Sequence, residues 1–403
     1  MKKTVSLAAA AALLFAAAHD ARSYAAEKAD TIEVSYSAKN GQACITGCSD
    51  SVTDLVIPEK INGLTVTAVG ENAFFGNEKL RTCVIPDSVA SIEERAFCAC
   101  PELRSITIGS GTASISDYTF AACPNLRSFT VSKDNPTYTA VNSCLCSKSG
   151  DTLLKYAGDK NALVPDKVKT IGIGAFFNRE DITSVSIPKT VTAIEKNAFS
   201  GCLSLRSADI PDSVKSLGDK CFMSCTSLSR VRLSASMTAI PDHCFYSCTS
   251  LNNIVIPANI RSVGESAFFS CPSLSGIYIP KTVTAIDTDA IGRRYDSRLS
   301  STDSIPGFVI KGEKGSAAEK YASDSGLIFG TKILQKGDVT GDGIIDAVDA
   351  STVLSEYAMT STDNPSSLNV EQVISADCDG NGAVNSVDAS LILSKYAENA
   401  LKH

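Results

Sequence analysis

Histidine is nearly missing from this 403-residue chain: of His19, His243 and His403, only His243 lies away from the ends. Catalysis centred on an imidazole therefore has almost no place to be built. Tryptophan is absent and aromatic residues make up only 6%, which counts against the flat ring platforms that usually hold sugars or single-stranded nucleic acid. A formal charge of −7 argues against a nucleic-acid partner. No segment beyond the N-terminal one approaches the roughly 20 apolar residues that span a bilayer. With 44% hydrophobic and 20% charged residues, the composition excludes wholesale disorder and a multi-span membrane protein. The length, about 2.5 times a common domain of roughly 150 residues, points to several folding units or to a repeat.

Lys2 and Lys3 precede a largely apolar run from Val5 to Ala18, and the small residues Ser23 and Ala25 are placed as an A-x-A-like cleavage signal. Residues 1–25 therefore read as a secretory signal peptide. The alternative is a short membrane anchor, but the run is below spanning length. The mature chain is expected to be secreted, extracellular and without a membrane span.

Fifteen cysteines in an exported chain would normally suggest a disulfide framework. Cys100, Cys123, Cys202, Cys225, Cys248 and Cys271, however, each fall three residues after a phenylalanine, which is the behaviour of a small buried packing residue. Equivalent positions in stacked repeats form a line, not the tetrahedron of a zinc site. Cys44 with Cys48 and Cys144 with Cys146 are the disulfide candidates.

Phe74, Phe97 and Phe120 recur with a period of 23, as do Phe176, Phe199, Phe222, Phe245 and Phe268. An aliphatic residue lies five before each (Val69, Ile92, Ile115, Ile171, Ile194, Leu217, Ile240, Val263), and a leucine or isoleucine six after (Leu80, Leu103, Leu126, Ile182, Leu205, Leu228, Leu251, Leu274). A further aliphatic eleven after the ring is often followed by proline, as in Ile187-Pro188 and Ile256-Pro257. One such coil cannot enclose an apolar face alone, so neighbours must stack into a solenoid. The alternation predicts a parallel sheet along one face, with the residues eight and ten after phenylalanine outward and those at nine and eleven inward. The phenylalanine itself is expected in a short turn or helical stretch, whose N-terminus suits the acids three residues earlier: Glu71, Glu94, Asp117, Asp219, Asp242 and Glu265.

These residues resemble the BspA-like leucine-rich repeats of bacterial surface proteins, whose unit reads approximately I-P-x-x-V-x-x-I-G-x-x-A-F-x-x-C-x-x-L; the stretch VTAIEKNAFSGCLSLRSADIP from Val191 follows it closely. The resemblance covers about residues 31–330. It implies an extracellular adhesion or protein-binding surface and no reaction. The gap from Phe120 to Phe176 is 56, one period plus 33, and VNSCLCSKSGDTLLKY within it reads as a β-hairpin turning at Ser149-Gly150. This insertion is placed near 136–165, as either a contact site or decoration. Thr31–Pro58 is expected to cap the N-terminal end of the core and Lys311–Phe329, with a helix, the C-terminal end.

Asp338-x-Thr340-x-Asp342-Gly343, followed by Asp346 and Asp349, has the spacing of an EF-hand calcium loop: oxygen ligands at positions 1, 3, 5, 9 and 12, with glycine at 6. Asp377, Asp379, Asn381, Gly382, Asn385 and Asp388 repeat it at an offset of 39. Ile344 and Ala383 at position 7 would each offer a backbone carbonyl, so their side chains need not be polar. The loops carry four and three carboxylates, which matches the chain's formal excess of seven. Two ions are expected, with the first site weaker because Thr340 stands where Asn or Asp is usual. Each loop leads into a similar helix, VDASTVLSEYA from Val348 and VDASLILSKYA from Val387.

This tandem, over roughly 336–400, resembles the dockerin module of cellulosomes, which binds a cohesin on a scaffoldin and attaches extracellular proteins to a complex that degrades plant cell walls. Mapped through that resemblance, Ala347, Val348, Ser386 and Val387 would contact cohesin, with Ser351 and Ser390 adjoining. Near-identity of the halves would permit two binding orientations, although Glu356 against Lys395 breaks the symmetry. The alternative is a calcium-stabilised cap without a partner.

The expected architecture is thus an α/β repeat: a β-rich leucine-rich-repeat solenoid of 23-residue coils over 31–330, a linker at 331–336, and a small all-α dockerin with two EF-hand-like loop–helix motifs over 337–400. On the solenoid, Ser184, Ser186, Ser207, Asp209, Arg230, Arg232, Asn253, Val255, Gly276 and Tyr278 form the candidate contact face for an unknown protein or glycan. Arg81, Arg104, Arg127 and Arg206 form either a basic stripe or solvated edge charges. The favoured function is non-catalytic binding, with the dockerin tethering the chain to a cellulosome at or near the cell surface in plant polysaccharide breakdown. The alternative is a dockerin-bearing hydrolase of O-glycosyl bonds, which requires a carboxylate pair in a cleft; the acids here recur once per coil, as structural acids do. Cys244 beside His243 occupies a core position of the repeat and makes a poor dyad.

Overall fold

The computed structural model describes residues 3–8, 31–296, 300–331, 334–362, 364 and 366–400. The chain divides into two compact units, Met1–Glu180 and Asp181–His403. Both contain β-solenoid coils of the period expected from the sequence.

In the first unit, Thr31–Lys39 and Gln42–Cys48 form an antiparallel hairpin. It turns at Asn40 and Gly41, both at positive φ (50° and 75°), the conformation of a two-residue hairpin turn that matches strand twist. Lys3–Ala8, inside the expected leader, pairs antiparallel with Thr31–Lys39. The remainder of the leader, including the Ser23 and Ala25 signal, lies outside the described residues. Beyond this hairpin the strands of successive coils pair in parallel and keep the register of the repeat: Thr82 pairs with Ser105, and Ser105 with Ser128.

The second unit continues this plan. Ser207–Asp209, Arg230–Arg232 and Asn253–Ile254 form one parallel ladder, and Gly276–Tyr278, Val309–Lys311 and Ile328–Gly330 another. Helix α1 (Ala317–Asp324) precedes that last strand. Arg293–Asp296 and Ser301–Ser304 add a short antiparallel hairpin.

Each coil makes a second rung that the periodicity did not announce. In seven of the eight coils the aliphatic residue five before phenylalanine and its predecessor form a two-residue strand, as in Ser91–Ile92 on Ser114–Ile115 and Ala239–Ile240 on Ser262–Val263, while Val69 ends the longer strand Leu64–Val69. Between the rungs, all eight repeat phenylalanines sit in a turn, with positive φ both two residues before and two after. His243 occupies the first of these places (φ 55°), a left-handed conformation that histidine tolerates better than most residues. The single internal histidine is thus a turn residue.

The phenylalanine rings stack into columns. In the second unit Phe199 to Phe222 is 5.1 Å between centroids, Phe222 to Phe245 5.6 Å and Phe245 to Phe268 5.3 Å, with planes within 14° of parallel. The cysteine three residues on closes the same turn. Its thiol donates to the carbonyl of the preceding coil's phenylalanine, 3.1 Å for Cys225 to Phe199 and for Cys248 to Phe222. These thiols are buried and free, and burial holds Cys225 and Cys248 well above the ordinary thiol pKa.

Cys44, Cys48, Cys144 and Cys146 are also free, so neither candidate disulfide is present. Cys44 and Cys48 lie on one strand, and four residues of extended chain span about 13 Å, twice the reach of a disulfide. Between Phe120 and Phe176, Cys144–Ser147 pairs antiparallel with Thr152–Lys155 and with a further strand, Tyr138–Val141, through a turn at Asn142 and Ser143. Just after the last of these strands, Tyr156 stacks on Phe176 at 4.7 Å, and the buried Arg179 donates to the Tyr156 and Gly158 carbonyls at 3.3 and 2.9 Å.

Candidate functional site

The two C-terminal loops run into helices α2 (Ala347–Thr360) and α4 (Ser386–Ala400), with α3 (Val370–Ala376) between them. All three helices contribute to one small core that includes Ala350, Val353, Val373, Ala376, Ala389 and Ile392. Asp346 caps α2 by accepting from the Val348 N–H at 2.7 Å, while Asp349 reaches back to the Asp346 N–H at 2.9 Å. The position-9 and position-12 residues thereby start the helix and close the loop together.

In the second loop Asp377, Asp379 and Asp388 each bring a carboxylate oxygen within 4.8 Å of the others. Asp388 is fully buried and accepts from the backbone of Cys378, Asp379 and Asn385 at 2.8, 3.3 and 2.9 Å. Asp377 accepts from the Gly382 N–H through Oδ2, but its buried Oδ1 has no hydrogen-bond partner. Burial pushes the Asp377 carboxyl up to about 6, and the neighbouring Asp388 and Asp379 add to the rise against the lowering effect of Lys336 and the Gly382 N–H. A buried, unsatisfied carboxylate among like charges is a site that a hard cation would stabilise. Together with Asn381, Asn385 and the Ala383 carbonyl, the donor set fits calcium.

The first loop has the same frame. Asp338 accepts from Gly341 and Gly343, Asp342 from Ile344, and Asp349 from Val339, Thr340 and Asp346. At position 3, where the second loop has the carboxylate of Asp379, the first has the hydroxyl of Thr340, although it carries four carboxylates in all to the second loop's three.

The residues mapped to cohesin contact, Ala347, Val348, Ser351, Ser386, Val387 and Ser390, are all exposed. Val348 and Val387 are 58% and 53% exposed on the first turns of α2 and α4. The sequence reading passed over Leu354, Tyr357, Leu391, Leu393 and Tyr396, which are also exposed apolar residues of these helices. Their signal was available: VLSEYA and ILSKYA carry more apolar residues than one buried stripe uses. The Glu356 and Lys395 difference has a structural basis. Buried Glu356 accepts from the Ser367 N–H and hydroxyl at 3.0 and 2.8 Å, whereas Lys395 donates to the Lys336 carbonyl at 3.0 Å.

The candidate face of the solenoid is not uniform. Ser186, Asp209 and Arg230 are exposed, with Ser184, Ser207 and Arg232 partly so. Arg232 is engaged by Asp209 at 3.2 Å and Asp212 at 2.8 Å. Asn253, expected outward, is buried at 9% exposure, and Gly276 is buried as well. Val255 packs against the core of the C-terminal helices. At the edge, Arg104 and Arg127 lie 3.6 and 3.9 Å from Glu102 and Asp159. The Cys244 thiol is fully buried and its pKa is raised well above the ordinary value, chiefly by burial, which removes it from nucleophilic chemistry.

The repeat register now meets a family. A model described as BspA type leucine rich repeat region matches in six copies, over residues 39–150 and 169–295. This chain belongs to the BspA type leucine-rich repeat family. The repeats are joined, at residues 336–396, to a match with the dockerin type I domain, a class of calcium-binding module. Solved structures similar to this BspA type chain include a leucine-rich repeat protein from Eubacterium ventriosum, 18% identical over 69% of this chain and 92% of that one, with a TM-score of 0.45. A leucine-rich repeat protein from Bacteroides ovatus is 22% identical over 70% and 83%, TM-score 0.41. The pneumococcal vaccine antigen PcpA is 14% identical over 75% and 97%, TM-score 0.42. No curated protein matches the chain. Among the described residues, no helix is long and apolar enough to cross a membrane.

Proposed function

We propose that this BspA type protein is a secreted, non-catalytic binding component that its dockerin attaches to a cohesin of a scaffoldin. Two calcium ions, one per loop, hold α2 and α4 so that Val348 and Val387, with Ala347, Ser351, Ser386 and Ser390, face the cohesin. The repeats hold a protein or glycan, and the assembly is a cellulosome that breaks down plant polysaccharide outside the cell.

The observation that carries this reading is the duplicated arrangement in which a buried carboxylate immediately follows an exposed valine. Asp349 and Asp388 are fully buried and immediately follow Val348 and Val387, which are more than half exposed. Ordering the acids around a cation therefore orders the contact residues. The test is a pull-down from the culture fluid of the source organism, once with calcium and once with chelator. A scaffoldin recovered only with calcium supports the tether; recovery that ignores calcium, or none at all, overturns it. Polysaccharide hydrolysis by the purified protein would overturn the non-catalytic assignment.

A further inference from the structure

The outward face of the last coils is covered, and the chain itself covers it. Within the Asp181–His403 unit, α3 of the dockerin lies against the strand Gly276–Tyr278. Lys311, on the adjoining strand, pairs with Glu371 in the first turn of α3, and the two side chains retain 15% and 28% of their exposure. Val255 joins the dockerin core, and a Cβ added at Gly382 in the second calcium loop would stand 3.9 Å from the Leu233 carbonyl oxygen. These contacts fall on neighbouring coils, from the end of one ladder, after Arg230–Arg232 and Asn253–Ile254, to the strands Gly276–Tyr278 and Val309–Lys311 of the next.

The connection into the dockerin is strapped down too. Ser375 Oγ donates to the Gln335 carbonyl at 2.8 Å, the Gly337 N–H to the Ser375 carbonyl at 2.9 Å, and Lys336 Nζ to the Asp377 carbonyl at 2.7 Å. A free hinge would leave these groups to water.

We infer that the outward sheet face from Asn253 to Lys311 is the seat of the chain's own dockerin, making the dockerin and the last coils one rigid arm. The face left open to a foreign partner is then Ser184–Ser186, Ser207–Asp209 and Arg230–Arg232. This last step rests on the reading that the repeats hold a partner; the seat itself does not. Charge favours the arrangement, since the dockerin is acidic and presents Glu371 to the cation of Lys311.

Zero-length carbodiimide coupling of the calcium-loaded full chain tests the seat. The reagent joins Lys311 Nζ to the Glu371 carboxyl as an amide, and the water lost converts the carbodiimide to its urea. Lys281 and Glu313, 3.5 Å apart on the solenoid itself, provide the internal control. Monomer is isolated before digestion so that links between copies are excluded. We expect the 311–371 linked peptide alongside the 281–313 one, and its loss in Lys311→Arg. We also expect acylation of Lys311 several-fold slower than that of Lys281, whose side chain is 70% exposed. The control link forming without the 311–371 link, or equal acylation of the two lysines, overturns the inference, and neither result bears on whether a cohesin is bound.

Discussion

Replacing Phe222 with alanine tests the stacked-coil argument most directly. The ring is fully buried and lies between Phe199 and Phe245 at 5.1 and 5.6 Å, with planes 4° and 7° from parallel. Truncating a buried phenylalanine costs about 3–5 kcal/mol, from lost transfer energy and the cavity left behind. Here two near-parallel ring contacts vanish together, and each is worth roughly 0.5–1.5 kcal/mol beyond burial, so the upper part of that range is expected. In a stacked array the loss falls on both coil interfaces that the residue joins. For a domain of this size the cost corresponds to a fall of roughly 6–20 °C in melting temperature. Far-ultraviolet circular dichroism reports the transition, and amide exchange locates it: the coils from Phe199 to Phe245 should lose protection while the hairpin at Gln42–Cys48 keeps it. Calcium stoichiometry should be unchanged, because Phe222 is outside the dockerin core. A melting curve that superimposes on the parent protein's would refute the register, since a ring packed between two others cannot be removed without cost.

Asp388→Ala should lower bound calcium from two ions to one in equilibrium dialysis and strand the Cys378, Asp379 and Asn385 N–H groups that this carboxylate satisfies, and retention of both ions contradicts the second site. Val348→Asp and Val387→Asp should each leave cohesin capture largely intact, while the double variant loses it with calcium stoichiometry unchanged; a cohesin that still binds the double variant removes these residues from the contact. Burial pushes the Cys144 thiol up to about 11 and those of Cys146 and Cys271 to about 12. Because these folded-state values lie above the ordinary thiol pKa of about 9, the unfolded chain loses its protons first. Stability from these groups is therefore complete below about pH 9 and is lost as pH rises from there toward about 12. Melting temperatures measured from pH 7 to 11 should fall only in the upper part of that range, and a flat profile would show that the thiols titrate alike in both states.

Much of this was legible along the chain because repetition samples the same environment many times. Eight phenylalanines in one register establish the period, and a period with apolar residues on both sides of it can be satisfied only by stacking. The calcium loops were readable for a related reason: the spacing of oxygen ligands is dictated by the coordination sphere of one ion, so it survives as a local pattern. The turns were half legible. Asn72, Asn197 and His243 precede the ring by two, and Gly76 and Gly201 follow it by two, which are residues suited to positive φ. Arg95, Tyr118 and Lys220 hold the same conformation without that hint, because the packed column on either side decides it. The second, two-residue ladder was hidden for want of length: two residues show no alternation.

By itself the sequence determined the repeat and the two loops with their helices, since each is encoded by residues near one another in the chain or by their recurrence. Only the tertiary structure decided which outward positions are free. Asn253, Val255 and Tyr278 occupy the same places in their coils as Ser207, Asp209 and Arg232, and nothing in the repeat distinguishes them. What separates them is the seat of α3 and the pairing of Lys311 with Glu371, which are distant in the chain. Contacts of that kind depend on where folded surfaces meet, and a surface has no periodicity to read.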